Sequence, residues 1–178
     1  MARSLDIAVE TWPLANAFVI SRGAKTEARV VVATVSEAGF SGRGECVPYA
    51  RYGETVEGVL ADIKKFAARA VSLLDLAALQ EAMPSGAARN AVDCALWDYT
   101  AKRTGRSVAD MTGNGTTNAS TTPITTCFTL SLGTPEEMAA KAREARRLPL
   151  LKLKLGGAGD AERMLAVRAA RPDARLVA

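Results

Sequence analysis

Hydrophobic and polar positions in the N-terminal part of the chain follow the rhythm of β-strands. A β-branched run at 30–35 and shorter stretches at 5–10 and 40–45 predict three strands. Polar, glycine-containing loops are predicted at 21–25 and 48–53. This pattern is typical of a small antiparallel meander.

Three helices are predicted after this meander. Residues 55–70 carry apolar side chains at spacings of three and four, which indicates one buried face. A shorter helix is predicted at 73–83, and a third begins after the N-cap Ser85 and stops at Gly105. Residues 113–122 are rich in Gly, Asn, Ser and Thr and predict a connector between structural units.

Beyond the connector, strands and helices alternate. Strands are predicted at 124–132, 150–155 and 175–178, and helices that begin at the N-caps Thr134 and Asp160 lie between them. Strand–helix–strand units of this length predict parallel pairing. Since little more than two such units cannot close a barrel, we expect the chain to be the N-terminal part of a longer protein.

The composition is that of a globular protein. The chain has 178 residues, of which 48% are hydrophobic and 24% charged. Its apolar runs fall short of the roughly 20 residues that span a bilayer, and its start lacks the apolar segment of a secretory signal. Three widely separated cysteines, Cys46, Cys94 and Cys127, favour reduced thiols. We expect a cytoplasmic protein without a membrane partner.

Charge and histidine content limit the classes of catalytic and binding site that this sequence can form. The sequence has no histidine, which excludes within it Ser-His-Asp and Cys-His systems and metal sites built on imidazole. Residues 141–178 hold ten Lys/Arg and four Asp/Glu within a net charge of +4. A nucleic-acid surface is one interpretation, but aromatic residues are not interleaved there. We therefore expect a missing acidic partner segment and no nucleic acid.

The alternating sequence LKLKL at 151–155 carries the most informative chemistry. On a strand, Lys152 and Lys154 share one face and the leucines share the other. Inside a barrel, two crowded ammonium groups would favour the neutral amine of one, which could then act as a general base. The alternative is a solvated lysine face that protects a sheet edge.

Segments along the whole chain resemble the enolase superfamily. Residues 42–54 (GRGECVPYARYGE) resemble the capping-domain loop of dipeptide epimerases. Residues 86–98 (GAARNAVDCALWD) resemble the signature helix of the mandelate racemase and muconate lactonizing enzyme branch. The K-x-K motif at 152–154 is similar to the end of that branch's second barrel strand. Residues 12–14 and 18–23 are similar to the N-terminus of L-Ala-D/L-Glu epimerases.

The resemblance implies a fold and an activity. It implies an α+β capping domain at 1–115 and, at 116–178, the start of a (β/α)8 TIM barrel. It also implies an isomerase, a dipeptide epimerase of the L-Ala-D/L-Glu type, which moves a proton at the carbon α to a carboxylate through a Mg²⁺-stabilised enediolate. The metal ligands and a second lysine base are expected beyond Ala178, so no metal ligand is expected within this chain, and the chain alone is expected to be inactive. Its partner is a small dipeptide, and a homo-oligomer is left open.

The resemblance assigns roles to single residues. Lys154 is implied to be the base on one face of the α-carbon, with Lys152 as its electrostatic neighbour. Arg22 is implied to pair with a substrate side-chain carboxylate, which suits an arginine fork. Further substrate contacts are implied for Tyr49, Arg51, Tyr52 and Thr129. The alternatives are a related member, such as a muconate cycloisomerase or o-succinylbenzoate synthase, and a non-catalytic fragment.

Overall fold

A computed structural model describes residues 3–20, 23–70, 75–113 and 124–178. Two compact units divide the chain: Met1–Trp12 with Ala28–Thr121, and Pro13–Glu27 with Thr122–Ala178. The predicted boundary at 115/116 lies outside the described residues. Among the helices that are described, none is long and apolar enough to cross a membrane.

Three strands form the first sheet, in the order β1 (Ser4–Ile20), β2 (Gly23–Glu37) and β3 (Phe40–Cys46). Strands β2 and β3 pair antiparallel, as predicted, with Val35 opposite Gly42. The register follows from the tight turn at 38–39, where a two-residue connection joins the strands.

The first two strands are longer than predicted. The sequence predicts strands at 5–10 and 30–35, whereas residues 11–20 and 23–29 continue them, so the predicted loop at 23–25 is wrong. Most of the added residues are exposed. These segments therefore lack the alternation of buried and polar positions that predicts a strand. Backbone pairing with the neighbouring strand stabilises them instead.

Helix α3 (Ala87–Thr104) packs closely on β3 because two glycines permit it. A Cβ at Gly42 would collide with the backbone of Ala95 and Tyr99, and one at Gly44 would collide with that of Ala91. The core at this contact is apolar, and its most buried members include Val31, Val35, Ile63, Leu79 and Val92.

The described residues of this part of the fold also form the helices α1 (Val56–Ala70), α2 (Leu76–Ala82) and α4 (Val108–Thr112). The first confirms the predicted helix, and the second lies within its predicted range. Helix α4 was not predicted, although Ser107 and Asp110 form a capping box at its start. Its five residues are too few to show a helical period.

The start of α3 differs from the prediction. Gly86, not Ser85, occupies the N-cap position and offers no side-chain acceptor. The carboxylate of Glu54 accepts the Ala87 N–H at 2.7 Å instead. A partner 33 positions earlier in the chain therefore satisfies the helix end, which local sequence cannot reveal.

The second sheet is parallel, as predicted. Its strands lie in the order β4 (Phe128–Leu130), β5 (Leu150–Leu153) and β6 (Arg175–Val177), joined by helices α5 (Pro135–Glu144) and α6 (Asp160–Ala170). The three strands are shorter than predicted. One face of the sheet packs on both helices through Leu130, Met138, Ala142, Leu151, Leu153 and Val167.

Helix α5 begins as predicted and ends on a buried arginine. Thr134 and Glu137 form a capping box, with Pro135 in the first turn. At the opposite end, the guanidinium of Arg171 donates to three backbone carbonyls, those of Ala142, Ala145 and Leu148. A positive charge there is favoured by the helix dipole.

Candidate active site

The two lysines of the K-x-K motif alternate with buried leucines. Leu151 and Leu153 are 0% and 2% exposed and contribute to the core beneath the sheet. Lys152 and Lys154 are half-buried. Lys154 lies just past the end of β5, where its N–H donates to the Leu130 carbonyl at 3.3 Å. The predicted alternation is present, with the lysine positions away from α5 and α6.

Thr129 joins the two lysines at the same sheet. In the parallel register, the Cα of Thr129 on β4 lies opposite that of Lys152 on β5. Paired residues of neighbouring strands point to the same face. The structure therefore brings together three of the predicted site residues: Thr129, Lys152 and Lys154.

The glycine-rich loop after Lys154 is closed by its own carboxylate. Asp160 accepts the N–H groups of Gly156 at 3.0 Å and Gly157 at 2.7 Å. These two bonds hold the pKa of Asp160 below its usual range. The sequence predicts Asp160 as an N-cap, but Gly159 occupies that position and Asp160 begins α6. The carboxylate serves the preceding loop instead.

The carboxyl-terminal end of β1, residues 17–20, is called the β1 tip and lies against the end of β4. The Val19 carbonyl accepts the Leu132 N–H at 3.1 Å, and the Ser131 hydroxyl lies 3.5 Å from the Ala17 carbonyl. Leu132 follows Thr129 by three residues, so this contact lies at the carboxyl end of β4. Arg22, the predicted substrate residue near this tip, lies outside the described residues.

Tyr49, Arg51 and Tyr52 lie together in the other unit. They occupy an exposed turn with one 3₁₀ segment, Ala50–Tyr52, and the two tyrosine rings are 5.7 Å apart between centroids. Glu54 fixes this turn: its Oε2 accepts the Tyr49 N–H at 2.9 Å while its Oε1 holds the start of α3. No role for Glu54 was predicted from the sequence.

Part of the C-terminal positive charge serves the fold. Arg163, Arg168 and Arg171 each donate to backbone carbonyls within the β/α region. None of these three structural roles was predicted from the sequence. Their spacing on one amphipathic helix and its end is the signal that could have indicated a structural use.

The described residues do not fit a magnesium site. Among them, no group of three or more Asp, Glu, Cys or His side chains is placed to hold a metal ion. Hard cations such as Mg²⁺ need several oxygen ligands in one place.

Sequence comparison identifies close relatives. Over 179 aligned residues the chain is 44% identical to the L-Ala-D/L-Glu epimerase of Escherichia coli (strain K12), and the alignment covers 98% of this chain and 54% of that protein. The chain thus spans about half the length of the curated relatives it matches.

Solved structures show the same fold. An enolase family member from Agrobacterium tumefaciens, described as having homology to dipeptide epimerases and bound to sodium and L-Ala-L-Glu, is 47% identical. Its TM-score is 0.87, over 98% of this chain and 52% of that one. The dipeptide epimerase of Enterococcus faecalis V583, complexed with Mg and L-Leu-L-Tyr, is 26% identical. Its TM-score is 0.84, over 99% and 52% of the two chains.

A family match covers most of the chain. Residues 2–113 match the N-terminal domain of the family described as mandelate racemase / muconate lactonizing enzyme. This segment contains α3 and the turn that Glu54 holds, and the resemblance seen in the sequence at 42–54 and 86–98 falls within it. The chain therefore belongs to the mandelate racemase/muconate lactonizing enzyme family of the enolase superfamily.

Proposed function

We propose that this chain is the N-terminal half of a dipeptide epimerase of the L-Ala-D/L-Glu type. In this proposal residues 1–115 form the capping domain and residues 116–178 the first units of a (β/α)8 barrel. The 44% identity to the E. coli epimerase over 98% of the chain supports the activity. The single observation that carries the proposal is the position of Lys152 and Lys154, half-buried on the sheet face away from the helices.

The proposed reaction is a proton transfer at one carbon. Neutral Lys154 takes the α-proton, and the electron pair of the broken C–H bond moves into the adjacent carboxylate to give an enediolate. A second base outside these 178 residues returns a proton to the opposite face, so the configuration inverts with no net change in atoms. Lys152, which shares the same face of the sheet, is proposed as the electrostatic neighbour of Lys154.

The remaining predicted residues are proposed to bind substrate. Thr129, whose Cα lies opposite that of Lys152, is proposed to contact the dipeptide. Arg22 is proposed to pair with a substrate side-chain carboxylate, and Tyr49, Arg51 and Tyr52 are proposed to contribute to substrate specificity. The relatives crystallised with L-Ala-L-Glu and L-Leu-L-Tyr support a dipeptide as the ligand.

A magnesium requirement is also proposed, with its ligands beyond Ala178. The Enterococcus faecalis relative complexed with Mg supports it. We further propose a cytoplasmic location. The three cysteines support it, because all are free thiols in the structure.

The test is a Lys154→Ala substitution in the complete gene product. Each of two bases serves one face, so epimerisation should stop in both directions. Exchange of the α-proton with D₂O should persist for the one epimer whose proton faces the surviving base. A positioned base contributes roughly 10²–10⁴-fold, so the loss is measurable by NMR.

Lys141→Ala is the matched control. Lys141 is an exposed lysine that pairs with Glu144 on α5, a different element from the strand that carries the motif. This variant should keep full activity. Near-normal epimerisation by Lys154→Ala would show that the lysine face is only a solvated strand surface, and the proposed function would then be rejected.

A further inference from the structure

One arginine connects the two loops that follow β4 and β5. From the first turn of α6, Arg163 donates through Nε to the Gly133 carbonyl at 2.9 Å, in the loop after β4. Through Nη1 it donates to the Ala158 carbonyl at 2.8 Å, in the loop after β5. The same Nη1 lies 2.8 Å from Oδ1 of Asp160. A planar guanidinium with several fixed donors suits this bridging position.

Asp160 extends the bridge to the residues beside Lys154. Its two carboxylate oxygens accept from Gly156 and Gly157, and Gly156 is two residues after Lys154. Oδ1 thus contacts the loop and the arginine at once. Both side chains are largely shielded, with 20% of Arg163 and 22% of Asp160 exposed.

Close packing limits the movement of the same loop. An added Cβ at Gly156 would lie 2.8 Å from a methyl carbon of Leu132, so the end of β5 and the segment after β4 are in tight contact. Leu132 is the residue whose N–H donates to the β1 tip. Few conformations of the backbone after Lys154 satisfy all these contacts.

A second arginine on the same helix makes comparable contacts at the other end of the strands. Arg168 donates through Nη1 to the carbonyls of Arg171, Pro172 and Ala174, before β6 begins. In barrels of parallel strands, chemistry is carried at the carboxyl ends and the amino ends contribute stability. Arg163 and Arg168 therefore make similar contacts at opposite ends of the parallel strands and can be compared as matched variants.

We propose that Asp160 and Arg163 are positioning residues for Lys154. They act through the loop backbone and touch neither substrate nor the reacting atoms. They fix the carboxyl end of β5 against that of β4, so that the Lys154 amine meets the α-carbon in reacting geometry. This inference rests on the proposed function of Lys154.

The experiment compares Arg163→Met with Arg168→Met in the complete gene product. Both variants lose three contacts to oxygen atoms and should unfold at a lower temperature. At a temperature well below both unfolding temperatures, kcat and KM are measured. The rate of α-proton exchange with D₂O is measured for each epimer. A small misplacement of a reacting group costs up to about 10²-fold. Arg163→Met should therefore lower kcat roughly 10–100-fold with KM little changed, and Arg168→Met should leave kcat within about twofold.

The exchange measurement separates positioning from general destabilisation. Arg163→Met should slow exchange for the epimer whose proton faces Lys154 and leave the other epimer near the parent rate. Asp160→Asn, which replaces one acceptor oxygen by a donor, should show the same asymmetry more weakly. Arg163→Lys keeps the charge but cannot reach all three oxygens, and its kcat should fall between Arg163→Met and the parent.

Two results would overturn the inference while leaving the proposed function in place. Both apply when Lys154→Ala has removed the exchange of one epimer. The first result is that Arg163→Met slows the exchange of both epimers equally. The second is that the kcat of Arg163→Met is no lower than the kcat of Arg168→Met. If Lys154→Ala itself keeps both exchange reactions, the proposed function fails first and the positioning role fails with it.

Discussion

One carboxylate oxygen of Glu37 accepts hydrogen bonds from two side chains. The Tyr99 hydroxyl donates to it at 2.6 Å, and the Arg3 guanidinium donates at 2.7 Å. The tyrosine hydrogen bond, and after it the arginine, hold the pKa of Glu37 below its usual range. The ionised form is thus the one that the fold stabilises, and it joins the sheet to α3.

We predict that Tyr99→Phe lowers the unfolding temperature at neutral pH. Because the folded-state pKa of Glu37 is depressed, its contribution is present above the unfolded-state value and is lost as pH falls through the folded-state value. The difference in unfolding temperature between Tyr99→Phe and the parent should therefore shrink below about pH 4.3, the ordinary pKa of a glutamate. Calorimetric scans at several pH values measure it. Tyr52→Phe, at a 76% exposed tyrosine, is the control and should change nothing.

Partners such as these lie beyond local sequence patterns. No partner for Glu37 was predicted from the sequence, and its tyrosine partner is 62 residues away. The same applies to Glu54, whose backbone partners are five and 33 residues away. In contrast, the Lys152–Lys154 alternation and the Thr134 cap depend on neighbouring residues, and the sequence predicted the placement of both.

At the scale of elements, the contact between β3 and α3 depends on the absence of side chains. We predict that Gly44→Ala strongly destabilises the fold, because its Cβ has no space against the α3 backbone and the helix must move away from the sheet. Overpacking typically costs 1–3 kcal/mol, and sometimes more. Denaturant unfolding followed by circular dichroism measures the loss.

Ser41→Ala provides the comparison within the same strand. Ser41 is exposed and alternates with the buried Gly42 and Gly44. Its substitution should shift the unfolding midpoint very little. A Gly44→Ala midpoint equal to that of Ser41→Ala would show that α3 can separate from β3 without cost.

Element types were easier to predict than element ends. Helix α1 and the parallel β/α units have a clear period, and the structure contains them. The outer halves of β1 and β2 lack such a period because both faces are largely exposed. Strand β5 ends at Leu153, before the predicted 155. A loop follows, in which the Asp160 carboxylate accepts the backbone N–H groups of Gly156 and Gly157.

At the scale of the whole molecule, the absence of a ligand set in the described residues gives a prediction for the 178-residue chain. Titration with Mg²⁺ should give no tight, stoichiometric binding, because several oxygen ligands must converge on the ion. Isothermal calorimetry measures it, with EDTA-treated protein as the starting state. Submicromolar binding at one ion per chain would contradict this expectation.

The second compact unit is assembled from two distant parts of the chain. Pro13–Glu27 belongs with Thr122–Ala178, and the contacts that join them bridge 114 residues between Ala17 and Ser131. On the ribosome, the N-terminal strand emerges long before its partner strand is synthesised. Closing so large a loop costs conformational entropy before any native contact is gained, and high contact order slows folding. Until residues made more than a hundred codons later are synthesised, the nascent β1 tip therefore lacks its contacts with the segment after β4.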